Sequence, residues 1–279
     1  MVVVAALVAA TTAGCTGGGD GGRSEAAVSE GRLGRDEVVR IMPLGDSLTE
    51  GGDPAQPTSS PQSYRGYLEA RLAAAGYRVD FVGSQRRPAI GGTDPDHEGH
   101  GGFTIGPDSS TLCAGCGPAN LDAGIATWLR DAQPDVILLL IGVNDLFPGG
   151  GASGQVRDTE PAAAAGKLRA LVRRIRVLAP GATIVVASYP PVRFLVEAAT
   201  VGTASGGASA FAELNGAAAE LAEEGDDRIV YAPMAEALAG SWDAVDVLRS
   251  VGDELHPSAS GAKRIADVWF RTLEPLLKD

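Results

Sequence analysis

The 279 residues and 28.4 kDa of this chain suffice for one large domain or two small ones with a full interior. Hydrophobic residues at 44% and charged residues at 21% mark it as globular, which excludes collagen-like, coiled-coil and wholly disordered organisations. Its 35 acidic side chains against 23 basic ones give a net charge of −12, leaving no basic footprint for nucleic acid or an anionic bilayer. Only three histidines (His97, His100, His256) and three cysteines (Cys15, Cys113, Cys116) are present, so chemistry that needs either type has few candidates.

In chain order, residues 2–10 (VVVAALVAA) come first. This apolar run is shorter than the roughly 20 residues of a membrane-spanning helix and has the length of a signal-peptide core. Thr12-Ala13-Gly14-Cys15 resembles a bacterial lipobox, with Thr12 in place of the usual leucine; a Gly- and Ser-rich tether follows to residue 35. Residues 1–35 therefore read as a leader and linker, with Cys15 as the lipidation site or else incidental to an ordinary secretory signal. Both readings predict an exported protein, in the cell envelope or outside it. A lipid on Cys15 would be its membrane contact.

From residue 36 onward the pattern alternates. Strands are predicted at 38–44, 78–83, 135–142, 183–189 and 228–233, and helices at 64–77, from Asn120 to 130, at 160–178, at 209–224 and after Pro257. The unbroken run DVILLLIG (135–142) is what a central parallel strand covered on both faces requires. Five strands alternating with helices predict one α/β domain over 36–279, a parallel sheet between helical layers. Three long irregular stretches, 49–63, 86–119 and 147–159, all follow strands, on the sheet edge where such folds bind ligands.

Chemistry-bearing residues gather at that edge. Ser47 directly follows the first strand in Gly45-Asp46-Ser47-Leu48, and a serine hydroxyl needs a base within hydrogen-bond reach to become a nucleophile. His256 lies in Asp253-Glu254-Leu255-His256-Pro257, where a carboxylate three residues back can reach the imidazole and leave its other nitrogen for the serine proton. Gly142-Val143-Asn144-Asp145 closes the most apolar strand and brings an amide donor to the same edge, suited to stabilise an oxyanion. No serine stands in G-x-S-x-G, the elbow of α/β-hydrolases.

These blocks, in this order, resemble the GDSL/SGNH hydrolases. The resemblance implies a flavodoxin-like three-layer α/β/α sandwich with a five-stranded parallel sheet. It also implies Ser47 as nucleophile, His256 as base and Asp253 as its orienter. The implied oxyanion hole consists of the Ser47 backbone N–H, the Gly102 N–H and the Asn144 side chain. Block two of that family reads N-x-G-x-x-G. Here it is His97-Glu98-Gly99-His100-Gly101-Gly102, with histidine in the asparagine place and Gly101 as the near alternative to Gly102. Met42-Pro43-Leu44-Gly45-Asp46-Ser47, Val79-Asp80-Phe81-Val82-Gly83-Ser84 and Asp96-His97-Glu98-Gly99-His100 are further similar to carbohydrate esterase family three. The implied activity is a serine esterase acting without cofactor on O-acetyl esters of polysaccharide or other small-acyl esters. Competing readings are a lysophospholipase- or thioesterase-type hydrolase and a catalytically silent carbohydrate-binding surface protein.

Cys113-x-x-Cys116 reads as a short disulfide in an exported chain, as two free thiols, or, with His97-x-x-His100, as a zinc site. The disulfide is the expectation, with no metal. Trp128 and Trp269 fall on apolar helix faces and are expected in the core.

Overall fold

The polypeptide enters its sheet through β1 (Val38–Gly45) and turns at once into α1 (Ser47–Glu50), α2 (Tyr64–Ala74) and β2 (Arg78–Phe81). Two short strands follow, β3 (Gln85–Arg86) and β4 (Asp96–Gly99), then α3 (Leu121–Ala132), β5 (Val136–Leu140), α4 (Val143–Leu146) and α5 (Pro161–Leu178). The last elements are β6 (Thr183–Ala187), α6 (Ser205–Glu223), β7 (Ile229–Ala232), α7 (Met234–Ala239) and α8 (Ala259–Leu277). This computed structural model describes residues 37–51, 63–107, 119–146, 161–191, 205–239 and 256–278, all within one compact unit, Arg32–Asp279. Asp253, Cys15, Cys113 and Cys116 lie outside the described residues.

The sheet runs β3-β4-β1-β5-β6-β7, with β2 also paired to β1. β1 is parallel to β2 from Val38↔Arg78 to Ile41↔Phe81 and to β5 from Ile41↔Val136 to Gly45↔Leu140. β5 with β6 and β6 with β7 continue the parallel ladder. The five principal strands thus lie in the flavodoxin-like order β2-β1-β5-β6-β7. All five residues of β5 are buried, as its unbroken apolar run requires. Helix α2 packs against α8, while α5 packs against both α3 and α6. Trp269 is fully buried on α8 beside Ile265, Ala266 and Leu273, the face read from the sequence.

Helix α2 stops for a specific reason. Gly76 adopts φ 84°, Tyr77 N–H reaches the Leu72 carbonyl and Gly76 N–H the Ala73 carbonyl, a Schellman closure that glycine permits without strain. The stretch 86–119, expected to be irregular, contains more order than that. β4 pairs with the end of β1 at Leu44↔Glu98 and Gly45↔Gly99, and antiparallel with β3. A four-residue Asp-His-Glu-Gly strand has no propensity to announce it. Its pairing with β1 is wholly tertiary, and it carries the block-two segment to the end of β1 that precedes Ser47.

Candidate active site

Gly45 ends β1 so close to β5 that a Cβ there would stand 2.1 Å from the Leu140 carbonyl oxygen. Asp46 then caps α1: its backbone is extended and its carboxylate accepts the Leu48 N–H at 3.0 Å. Ser47 therefore opens a helical turn at the carboxyl edge of the sheet, 8% exposed. His256 comes from the other end of the chain, two residues before Ser258, whose hydroxyl caps α8 by accepting the Gly261 N–H. Its Nε2 lies 2.8 Å from Ser47 Oγ, within reach of a proton transfer. Of the three histidines, this is the one in hydrogen-bond contact with the serine.

Asn144 lies on α4, just beyond Gly142, which takes φ 129° to turn the chain off β5. Its Nδ2 donates to the Phe103 carbonyl at 2.9 Å, which fixes the plane of the amide. Neighbouring Asp145 accepts the Ile105 N–H at 2.9 Å and faces Lys167 Nζ at 3.3 Å. Two adjacent side chains thus hold residues 103–105 against the sheet edge.

The block-two segment forms a tight turn. His100 N–H reaches the Gly45 carbonyl at 2.9 Å, Phe103 N–H closes on the His100 carbonyl at 3.2 Å, and Gly102 has φ 78°. That is the type II pattern, which needs glycine at its third position. Gly101 N–H donates to Glu50 Oε2 at 2.8 Å, so this donor is occupied. Gly102 N–H belongs to the central peptide, which the turn's own hydrogen bond leaves out. Between the two glycines considered, the geometry leaves Gly102 as the open donor.

Neither remaining histidine is placed for proton transfer with Ser47. His100 Nε2 lies 2.6 Å from Oε1 of the buried Glu98, and its ring is stacked between Phe103 and Trp128 at 4.6 and 4.5 Å. Glu98 also takes the Ser84 N–H at 2.6 Å and the Ser84 hydroxyl at 2.8 Å. Trp128, expected in the core, is partly buried and braces this imidazole. The ring of His97 is 1% exposed and its Nδ1 accepts the Gly99 N–H at 3.0 Å. An asparagine would accept from the same i+2 amide in an Asx-turn, so the histidine fills the asparagine place of the motif by equivalent bonding. Among the described residues, no group of three or more His, Cys, Asp or Glu is arranged to hold a metal ion.

Burial drives two titrations in opposite directions. Desolvation raises the Asp46 carboxyl to about 7, opposed by its bonds to Leu48 N–H and the Tyr189 hydroxyl, the latter at 3.2 Å. Desolvation, helped by Arg65, His100 and Arg87, lowers His97 from 6.5 to about 2. The folded state therefore holds His97 neutral at pH values where the unfolded chain protonates it, so stability is lost as pH falls from 6.5 toward 2. Asp46 works the other way, favouring the folded state as pH falls from about 7 to 3.8. His97→Asn keeps the acceptor for Gly99 and removes only the first effect. Urea unfolding of this variant against wild type should show it gaining roughly 2 kcal/mol relative to wild type between about pH 6.5 and about pH 4.5. A constant difference across that range would show that burial of His97 is not linked to protons.

Three side chains at the site carried no sequence signal. Glu50 and Tyr189 touch the turn and the cap as described. Arg65, on α2, is fully buried and donates to the carbonyls of Thr49 and Arg87, both at 2.9 Å, and Glu50 at 3.2 Å.

The GDSL-like lipase/acylhydrolase family model matches residues 44–264. A family 3 carbohydrate esterase of Clostridium thermocellum is 29% identical with a TM-score of 0.63, over 86% of this chain and 97% of that one. A carbohydrate esterase family 3 structure from Talaromyces cellulolyticus, at 22% identity and TM-score 0.60 over 86% of this chain and 98% of that one, shares the fold. A multidomain esterase of Ruminococcus flavefaciens is 26% identical over 259 residues, which is 86% of this chain and 29% of that protein. The chain thus spans less than a third of the length of that curated relative. With the Ser47 turn, the paired histidine and the sheet order described above, the chain belongs to the GDSL-like lipase/acylhydrolase family.

Proposed function

We propose that this chain removes O-acetyl groups from polysaccharide through an acyl-enzyme on Ser47. The contact of 2.8 Å between Ser47 Oγ and His256 Nε2 carries this reading. His256 takes the serine proton as Oγ attacks the ester carbonyl, then gives it to the sugar oxygen as the C–O bond breaks, so that the sugar leaves as an alcohol; water repeats the cycle on the acyl-serine and frees acetate. Asp253 orients His256, and the oxyanion is received by the N–H groups of Ser47 and Gly102 and by the Asn144 amide. No cofactor enters these steps. The protein works outside the cytoplasm, held by a lipid on Cys15, with Cys113 and Cys116 joined.

The acetyl preference rests on the rim. Glu50 and Arg87 form an ion pair of 3.0 Å, and the carboxylate lies against Gly101, where a Cβ would stand 3.9 Å from Ser47 Cβ. Covering such a pair with a long alkyl chain would strip water from both charges without replacing it. Glycan hydroxyls meet the same rim with hydrogen bonds. The carbohydrate esterase relatives point the same way.

An acyl series of p-nitrophenyl esters, run beside acetate release from acetylated xylan, tests the substrate. The expected result is kcat/KM falling by about tenfold or more from acetate to octanoate, in line with 1–3 kcal/mol lost by misfit of added methylenes. Acetate should be freed from the polymer. A rate rising toward octanoate with no acetate released would assign the enzyme to lipid or thioester substrates.

A further inference from the structure

We infer that Glu50 is a positioning residue for the oxyanion hole: its carboxylate ties the Gly101-Gly102 turn to the helical turn that bears Ser47. The inference rests on the assignment of Ser47 as nucleophile and Gly102 as oxyanion donor. Ser47 and Glu50 are the first and last residues of α1, so one turn of helix separates nucleophile and carboxylate. Glu50 Oε2 accepts the Gly101 N–H at 2.8 Å, and Oε1 is held by Arg87 Nη1 at 3.0 Å. The backbone around that carboxylate is fixed as well. Arg65 donates to the carbonyls of both Glu50 and Arg87, and Gly99 lies so near that a Cβ there would stand 2.4 Å from Glu50 N.

The turn needs such a tie. With glycine at both central positions it has little conformational preference of its own, and small displacements of the Gly102 N–H are inexpensive. Backbone bonds anchor its flanks, at His100 to Gly45 and Phe103 to His100, and neither reaches Gly101. The Glu50 carboxylate supplies that missing point. A Cβ at residue 101 would stand 2.6 Å from Glu50 Oε2, so a larger residue there would displace the carboxylate from this contact. Arg87 offsets the negative charge that would otherwise oppose an oxyanion forming nearby. An oxyanion donor acts only when it sits at hydrogen-bond distance from the developing charge, so loosening it costs rate and not ground-state binding.

The test compares Glu50→Gln with Glu50→Asp on p-nitrophenyl acetate. Glutamine keeps one acceptor oxygen at the same reach for the Gly101 N–H and gives up the contact with Arg87, whereas aspartate keeps the charge and falls one methylene short of Gly101. Glu50→Asp should lower kcat by about tenfold, part of the 10²–10³ lost when a donor is removed outright, with KM within about twofold. Its inhibition constant for phenylboronic acid, which adds to a serine oxygen as a tetrahedral anion, should rise by the same factor. Glu50→Gln should stay within about threefold of wild type on both measures. The opposite order, with aspartate active and glutamine impaired, would show that charge and not the Gly101 bond is what matters, and overturns the inference. So does an unchanged kcat in both variants while Ser47→Ala is inactive. A Ser47→Ala variant that retains activity overturns the nucleophile assignment beneath it, a separately visible failure.

Discussion

Ser47→Ala is expected to lower kcat for p-nitrophenyl acetate by about 10⁴-fold or more while moving the melting temperature by no more than about 3 °C. The two expectations follow from different properties of one atom. Chemically, Oγ is the group poised against His256 Nε2 at 2.8 Å, and its loss removes the covalent route altogether. Structurally, the cap of α1 belongs to Asp46 and the packing to Leu48 and Thr49, both buried, so the fold does not lean on the hydroxyl. A residual rate is expected from binding and from the proposed oxyanion donors. His256→Asn should lose activity on the same scale, since without the base the hydroxyl remains un-ionised. His97→Asn, which preserves the Gly99 contact, should keep most of it. A Ser47→Ala variant working at the wild-type rate would remove the acyl-enzyme mechanism from consideration, and retained activity in His256→Asn beside a dead His97→Asn would transfer the role of base.

What could be read in advance divides along a physical line. Strands β1, β5 and β6 announce themselves because burial on both faces writes a local apolar run, β7 through its short apolar stretch, and β2 through the alternation of Arg78 and Asp80 with Val79 and Phe81; Ser47, His256 and Asn144 stand at the ends of such strands or just before a capped helix. Local chemistry sets these positions, so a single stretch of sequence reveals them. β4 is different: Asp96–Gly99 becomes a strand because Leu44 and Gly45 lie beside it, a pairing invisible in either segment alone. Glu50 and Tyr189 are likewise defined by partners more than 50 residues away. His97 was legible as a departure from the family motif, but only the bond from Gly99 N–H to its Nδ1 shows that histidine and asparagine meet the same demand. Arg65 is the hardest case. On a helix whose apolar face includes Tyr64, Leu68 and Leu72, a charged neighbour is naturally assigned to solvent.

Arg65→Met should accordingly cost about 3–5 kcal/mol of folding free energy, the largest stability loss expected from any single change near the site. Its guanidinium is fully buried with backbone carbonyls as its hydrogen-bond partners: Thr49 at 2.9 Å, Arg87 at 2.9 Å, Glu50 at 3.2 Å and Pro95 at the limit of 3.5 Å. Burial brings its pKa down to about 10, so the group is still charged at neutral pH, with Glu50 and Asp94 as nearby compensating charges. Methionine fills much of the volume but supplies no donor, and the carbonyls it abandons stay buried at the end of α1 and beside it. Lysine is no substitute, since one ammonium cannot place donors toward Thr49 and Glu50 on one side and toward Arg87 and Pro95 on the other. Both variants should therefore lose stability in urea unfolding. At temperatures where they remain folded, both should also lose kcat, because two of the carbonyls released, those of Glu50 and Arg87, belong to the residues whose side chains tie α1 to the Gly101-Gly102 turn. Arg65→Met within 1 kcal/mol of wild type, or with full activity, would mean that the packing of α2 against α8 holds this corner without the guanidinium, and that the buried charge organises nothing that the hydrophobic core does not already fix.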